Sequence, residues 1–135
     1  MSSILIVEDH DYMAKVLIRL LHKLTDLKVA ARAKTAEEAL ELLPELEVGL
    51  ILVDVSLPEM NGIDLVATLH KKYPALPCLM LSGHHASHYV HRSLEAGARG
   101  YILKDDPGAI VEGVQRVLEG DIYVSKKLVQ EMPGT

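Results

Sequence analysis

Short apolar runs alternate with helical patterns along this sequence, and that alternation restricts the fold more than any other feature. Several of the runs are apolar throughout, as buried strands covered on both faces are. Strands separated by helices favour a parallel sheet with helices on both faces, joined by right-handed crossovers. The pattern therefore predicts an α/β domain of five β-α units. Its five predicted strands are Ile4 to Val7, Val29 to Ala33, Leu50 to Val53, Leu79 to Leu81 and Tyr101 to Leu103.

The segments between these runs carry the signals of five helices. The first has apolar residues from Met13 to Leu24 at the spacing of one helical face. Thr35 and Glu38 form a capping box, and Asp106 followed by Pro107 is typical of a helix start. The remaining helices are predicted at about Ala36 to Leu43, from Asn61-Gly62 to before Pro74, at about Ala86 to Ala96, and from Pro107 to Gly120.

Length and composition favour one domain. A chain of 135 residues with 49% hydrophobic content can fill a single core. We assign residues 1–120 to that domain. Residues 121–135 are predicted to be a C-terminal tail or the start of a linker, because the segment is short and ends in Pro-Gly-Thr. We expect any effector domain reached by such a linker to lie outside these residues.

Charge and cysteine content exclude several classes of protein. The formal net charge is -5, so no basic field would attract nucleic acid to these residues. The sequence has no basic segment followed by a long apolar stretch at its start and no run of 18 apolar residues, so we expect neither a signal peptide nor a membrane span. The single cysteine, Cys78, is expected to be a small buried apolar residue. A cytoplasmic protein is predicted.

Polar side chains stand where four of the apolar runs end. Glu8 and Asp9 follow the first strand, and Asp54 ends the third. Ser82 follows the fourth strand and Lys104 the fifth. Taken singly, such residues are usually helix caps, turn residues or solvated charges. In an open parallel sheet, however, ligands gather beyond the carboxyl ends of the strands, so all five residues are expected at one edge.

Three carboxylates at one edge predict a cation between them. Acids within about 4 to 6 Å repel one another and raise one another's pKa values unless a positive charge lies among them. Oxygen ligands suit Mg2+, and the absence of Cys-His spacing argues against zinc. A carboxylate, Mg2+, an ammonium and a hydroxyl together are the groups needed to accept a phosphoryl group on an aspartate. The sequence therefore predicts a phosphorylation site.

Four stretches resemble the receiver domain of response regulators in bacterial two-component signalling. Together they cover nearly the whole chain, and the Asp-x-x-x-Pro-x-x-Asn-Gly block with a distant Lys is specific to that family. The resemblance implies a single doubly wound (βα)5 flavodoxin-like domain, with a five-stranded parallel sheet of order 2-1-3-4-5. The four stretches are Ile4 to His10, Val53 to Gly62, Leu81 to Gly83 and Ala96 to Asp105.

The same resemblance assigns the acidic residues. Asp54 is expected to be the phosphoacceptor. Mg2+ is expected to bind the side chains of Asp9 and Asp54 and the backbone carbonyl of Ser56, with Glu8 reaching the ion through water. Glu8 stands where many members of the family have Asp.

The resemblance also assigns the residues of the switch. Lys104 is expected to pair with the phosphoryl group, and Ser82 to donate its hydroxyl to a phosphoryl oxygen. Tyr101 is expected to be the aromatic residue that turns when Ser82 is drawn inward. The segment from Gly97 to Asp105, together with Leu118 to Tyr123, is similar to the NarL/LuxR type of regulator, in which a helix-turn-helix domain follows the receiver.

Partners and output follow from the family. The phosphoryl donor is expected to be a histidine kinase or a phosphotransfer protein. The chain is expected to be no enzyme beyond self-catalysed phosphoryl acceptance and slow autodephosphorylation. The output surface is expected to lie on the fourth helix, fifth strand and fifth helix, or on the first and fifth helices. Its partner would be an effector domain or a second copy of the chain, with transcription as the output.

The sequence leaves two other interpretations to consider beside the phosphorylated switch. A stand-alone receiver or pseudo-receiver would serve as a protein-interaction module without taking a phosphoryl group. A flavodoxin-like cofactor binder is disfavoured, because the loop Asp9 to Asp11 is acidic where a flavin phosphate needs free backbone amides.

Four histidines before and within the fourth helix are expected to be solvated and to give a modest pH sensitivity near neutrality. These are His84, His85, His88 and His91.

Overall fold

The computed structural model describes residues 3–83 and 87–131 of the chain. The strands are β1 (Ser3–Val7), β2 (Lys28–Ala33), β3 (Leu50–Asp54), β4 (Cys78–Ser82), β5 (Gly100–Leu103) and β6 (Tyr123–Val124). The helices are α1 (Asp11–Leu24), α2 (Ala36–Leu42), α3 (Gly62–Lys72), α4 (Ser87–Ala96), α5 (Pro107–Leu118) and α6 (Lys126–Glu131). A short 3-10 turn, Leu43–Glu45, follows α2.

All strand pairs in the sheet are parallel, and the strands lie in the order β2-β1-β3-β4-β5-β6. The predicted doubly wound fold and its 2-1-3-4-5 order are therefore confirmed. The sixth strand adds to the free edge of β5. Every residue of β3, β4 and β5 is buried, which explains why these runs are apolar instead of alternating.

Two apolar layers cover the two faces of the sheet. Leu5 and Val7 of β1 belong to the layer that contains residues of α2, α3, α4 and α6, and Ile4 and Ile6 belong to the layer formed with α1 and α5. This alternation is the ordinary consequence of side chains pointing to opposite faces of a strand. Within the described ranges, none of the helices is long and apolar enough to cross a membrane.

Side-chain caps fix where the helices begin. The Thr35 hydroxyl accepts a hydrogen bond from the Glu38 amide at 3.1 Å, as the capping box predicts. Asn61 caps α3 by accepting from the Asp64 amide at 2.9 Å, and Asp106 caps α5. Because α3 follows the strand that ends at Asp54 and α5 follows the loop that begins at Lys104, these caps also fix the loops beside the polar edge.

The main difference from the sequence analysis lies after Gly120. The predicted tail or linker contains β6 and α6 up to residue 131, and Leu128 and Ser125 are fully buried. A two-residue strand and a six-residue helix are too short to give a recognisable period, so the sequence pattern did not reveal them. His84, His85 and Ala86 lie outside the described residues, as do residues 132–135; α4 is described from Ser87.

One glycine is required by close packing beneath the polar edge. The Gly62 amide donates to the Val55 carbonyl at 2.9 Å, which holds the start of α3 against the end of β3. A Cβ atom on Gly62 would press against the Asp54 carbonyl oxygen and lie 2.9 Å from the Val55 Cα. Both neighbours are backbone, so neither can turn aside. The Asn-Gly pair of the sequence motif therefore has a steric cause.

We predict that Gly62→Ala lowers the free energy of unfolding by about 1–3 kcal/mol, because backbone atoms must shift to admit the methyl group. Gly108→Ala is the matched control, since it also lies at a helix start and its Cβ would meet nothing closer than Asp106 Oδ1 at 3.8 Å. Gly108→Ala should leave stability unchanged or raise it. Urea unfolding followed by circular dichroism measures both, and equal stabilities for the two variants would contradict the steric explanation.

Candidate functional site

The carboxyl ends of β1, β3, β4 and β5 bring the predicted polar residues together. Glu8 and Asp9 lie in the loop between β1 and α1, Asp54 is the last residue of β3, and Ser82 is the last residue of β4. Lys104 follows β5, and its ammonium reaches back to the acids of β1 and β3. The strand order produces this convergence, because β1 and β3 are neighbours and β4 separates them from β5.

Four residues offer atoms that could hold a metal ion. One ligand atom each from Glu8, Asp9, His10 and Asp54 lies within 4.8 Å of the others. His10 was not anticipated from the sequence. Its Nδ1 lies 3.4 Å from Glu8 Oε2 and 3.3 Å from Asp9 Oδ1. A lone His after two acids gives no sequence signal of its own, since it could equally be a solvated residue before a helix.

The Lys104 ammonium contacts two buried carboxylates. Its Nζ lies 2.7 Å from Glu8 Oε1 and 3.1 Å from Asp54 Oδ2. The residues Glu8 and Asp54 are 0% and 1% exposed, so water does little to separate their charges. The other Asp54 oxygen, Oδ1, accepts a hydrogen bond from the Ser56 amide at 3.0 Å. One ammonium thus faces two buried acids, and the site keeps an excess of negative charge.

Three buried oxygens of the site, Glu8 Oε1, Asp9 Oδ1 and Asp54 Oδ2, have no hydrogen bond of good geometry within the described part of the chain. For Glu8 Oε1 and Asp54 Oδ2 the principal partner is the Lys104 ammonium, because the charges are opposite and the distances short. Oxygens with spare lone pairs in an anionic pocket are the ligands that Mg2+ prefers. The residues present therefore fit a magnesium ion.

The pKa values of Glu8 and Lys104 reflect this crowding. Burial raises the pKa of the Glu8 carboxyl above its ordinary value, and the neighbouring Asp54 raises it further, while Lys104 opposes both effects. Burial alone would lower the pKa of Lys104, but the Glu8 and Asp54 carboxylates outweigh it and raise that pKa. Lys104 consequently remains an ammonium ion at neutral pH.

Arg32 fixes the loop that carries the acids, a role that sequence reasoning missed. Its Nε donates to the Glu8 carbonyl at 2.8 Å, and its Nη1 donates to Asp11 Oδ1 at 2.8 Å. Lys34 Nζ lies 3.5 Å from the same Asp11 oxygen. The hydrogen bond from Arg32, with help from Lys34, lowers the pKa of Asp11. The pairing of β1 with β2 creates these contacts, so a lone Arg in the sequence gave no sign of them.

Ser82 and Tyr101 lie side by side on neighbouring strands. Both residues are buried, and Tyr101 is 0% exposed. Burial raises the pKa of Tyr101, whereas the nearby Ser82 hydroxyl lowers it. The Tyr101 hydroxyl oxygen has no hydrogen bond of good geometry among the described residues. Because Tyr101 is fully buried, its aromatic ring lies inward, inside the fold.

Known proteins of similar sequence identify the family. The sequence profile of the response regulator receiver domain matches residues 4–115. The chain belongs to the response-regulator receiver family. It is 32% identical over 130 residues to the transcriptional regulatory protein DegU of Brevibacillus brevis and 33% identical over 133 residues to LnrK of Bacillus subtilis. These matches cover 96% and 98% of this chain but 55% and 60% of the relatives, so the chain spans little more than half their length.

Solved structures similar to this chain include response regulators of the LuxR family. A LuxR-family two-component response regulator from Aurantimonas superposes with a TM-score of 0.93 at 29% identity, over 97% of this chain and 94% of that one. A LuxR-family DNA-binding response regulator from Silicibacter pomeroyi gives a TM-score of 0.82 at 32% identity, over 93% and 98% of the two chains. The relatives of this receiver are thus response regulators of the LuxR/NarL type, which confirms the predicted subfamily.

The raised pKa of Glu8 predicts a pH-dependent stability in metal-free buffer. The folded protein holds the Glu8 proton more tightly than the unfolded chain, whose value is near 4.5, so the free energy of unfolding should fall as the pH rises from there through the folded pKa. Glu8→Gln should remove this loss of stability with rising pH. Glu41→Gln, at an exposed carboxylate of α2, should keep it.

Urea unfolding at a series of pH values, with a chelator present, measures the difference between these variants. If the free energy of unfolding changed with pH in the same way in wild type and Glu8→Gln, the buried Glu8 carboxyl would not be the source of the pH dependence.

Proposed function

We propose that this receiver is a signalling switch that accepts a phosphoryl group on Asp54. The observation that carries the proposal is the contact of one ammonium, on Lys104, with the buried carboxylates of Glu8 and Asp54. Receivers of this family are signalling proteins and not enzymes in the usual sense. Acceptance of the phosphoryl group, and its slow loss to water, would be reactions of the receiver's own site.

The carboxylates and one backbone carbonyl would position a metal ion. The side chains of Asp9 and Asp54 and the carbonyl of Ser56 would hold Mg2+, with Glu8 acting through water. Bound Mg2+ supplies positive charge against the phosphoryl oxygens and the attacking carboxylate. The ligands of β1 and β3 would be held in place by neighbouring strands, so little reorganisation would be needed at the moment of transfer.

In the transfer step, a carboxylate oxygen of Asp54 would form a bond to phosphorus as the bond from phosphorus to the donor's histidine nitrogen breaks. The leaving imidazole keeps the electron pair and later takes a proton from water. Lys104 would then exchange part of its contact with Glu8 for a contact with a phosphoryl oxygen. The raised pKa of Lys104 supports this role, since it keeps the residue charged before and after transfer.

Ser82 and Tyr101 would couple phosphorylation to a change of surface. A phosphoryl group adds nearly two negative charges and three acceptor oxygens at Asp54. The Ser82 hydroxyl would donate to one of them, and Tyr101 would be held inward behind it. A local change of this kind alters the surface only if that surface has two arrangements whose free energies differ by no more than a few kcal/mol.

The proposed partners follow the LuxR/NarL type. A histidine kinase or a phosphotransfer protein would donate the phosphoryl group in the cytoplasm. The output would pass through α4, β5 and α5, or through α1 and α5, to an effector domain or to a second copy. The curated relatives are named transcriptional regulators, so we propose transcription as the output of the full regulator, with DNA bound outside this receiver.

We predict that Asp54→Asn abolishes phosphoryl uptake from acetyl phosphate in the presence of Mg2+, because the amide nitrogen that replaces one carboxylate oxygen is a poor nucleophile. Asn keeps the size of the side chain and an oxygen that can accept from the Ser56 amide. Asp64→Asn, at an exposed acid on α3, is the matched control and should take up one phosphoryl group per chain as wild type does.

Intact-mass spectrometry distinguishes these outcomes. Uptake by Asp54→Asn at the wild-type level would show that another residue is the phosphoacceptor. Failure of wild type itself to gain mass would favour a pseudo-receiver that works as an interaction module.

A further inference from the structure

The segment after Gly120 is bound to the outer edge of β5. The Tyr123 amide donates to the Arg99 carbonyl at 3.1 Å, and the Ser125 amide donates to the Tyr101 carbonyl at 3.0 Å. The ladder then continues through a side chain, because the Leu103 amide donates to Ser125 Oγ at 3.1 Å. Ser125 thus holds the backbone of β5 on either side of Ile102.

Ser125 links the strand to the helix that follows. The residue is fully buried, and its carbonyl accepts from the Leu128 amide at 2.9 Å and from the Val129 amide at 3.2 Å. The hydroxyl therefore contacts β5 while the carbonyl begins α6. Any displacement of β5 at Tyr101 or Leu103 would be felt directly at the first turn of α6.

Apolar packing ties α6 to the same place. Leu128 is 0% exposed and belongs to the core layer that contains Tyr101, Leu103 and Val90 of α4. Its neighbour Val129 is 40% exposed, so one face of α6 is inserted into the layer and the other faces solvent. Tyr101 is buried with its ring inward in this docked arrangement. Docking of α6 and the inward Tyr101 therefore occur in the same state of the molecule.

We propose that the β5 edge, with the adjoining part of α4, is a docking surface for this chain's own residues 123–131, and that phosphorylation of Asp54 tightens that docking. The inference rests on the proposed function, which holds Tyr101 inward through Ser82. Phosphorylation and docking of α6 would both favour the conformation with Tyr101 inward. Each would therefore favour the other to the same extent. Whatever follows residue 131 would be oriented by the docked helix when the site is phosphorylated.

Covalent continuity selects this occupant over a separate partner. The segment is part of the same chain, so its effective concentration at the β5 edge is high and a short contact suffices to hold it. A two-residue strand, the Ser125 hydroxyl contact with the Leu103 amide and the buried Leu128 make a short and therefore modest interface. A modest interface is one that a coupling of typical size, about five-fold or more, can shift measurably.

Hydrogen exchange tests the inference in the unaltered chain. Beryllofluoride with Mg2+ serves as the phosphoryl mimic, and exchange is measured for the amides of Ser125 and Leu128. We expect exchange at these amides to slow about five-fold or more when the mimic is bound, with the start of α2, which lies away from β5, serving as the internal reference. Unchanged or faster exchange in the segment while the mimic is bound would overturn the inference and leave the proposed function intact.

The reciprocal effect is measured in a pair of variants. Leu128→Ala should weaken docking and lower the apparent affinity for beryllofluoride about five-fold, whereas Val129→Ala, on the exposed side of the same helix, should leave it unchanged. Circular dichroism at the temperature of the binding experiment verifies that both variants are folded. If Leu128→Ala is unfolded, Ser125→Ala replaces it as the variant that weakens docking. Equal affinities for the folded variants and wild type would also overturn the coupling. A wild-type protein that binds no beryllofluoride would overturn the proposed function together with the inference.

Discussion

The ion pair between the Lys104 ammonium and the buried carboxylates of Glu8 and Asp54 is the interaction on which the polar edge depends. Two acids withdrawn from water would repel each other and favour protonation, and a single cation between them offsets both effects only in part. This incomplete compensation leaves the site able to attract a second cation. It also explains why Lys104 must reach across the end of β4 to acids on β1 and β3, an arrangement that the strand order alone makes possible.

The rest of the structure serves to keep that arrangement in place. The apolar strands form a sheet covered on both faces, so the ends of the strands cannot shift independently. Arg32 fixes the backbone of the acidic loop, and Gly62 lets α3 begin directly against Asp54. On the other side of the site, the Tyr101 carbonyl accepts a hydrogen bond from the Ser125 amide and so links β5 to the β6–α6 segment. A rigid site is thus joined to a surface element held by few contacts, which suits a switch better than an enzyme.

Much of this could be predicted from the sequence because the informative residues lie at the ends of strongly apolar runs. Glu8, Asp54 and Lys104 each follow a run that could only be buried, and parallel strands bring their carboxyl ends to one edge. The roles of His10 and Arg32 could not be predicted, since they depend on which atoms meet across β1 and β2. The β6–α6 segment was missed because its elements are shorter than the periods by which strands and helices are recognised. The inward position of Tyr101 is likewise a matter of packing that a sequence pattern does not encode.

A double-mutant cycle between Glu8 and Lys104 tests the central claim most directly. The free energies of unfolding of wild type, Glu8→Gln, Lys104→Met and the double variant would be measured by urea denaturation in metal-free buffer at neutral pH. The account predicts a favourable coupling of about 1–3 kcal/mol, well above the few tenths expected for the exposed pair Glu112 and Arg116 measured in the same way. A coupling between Glu8 and Lys104 no larger than that of the exposed pair would contradict the claim that this buried interaction organises the site.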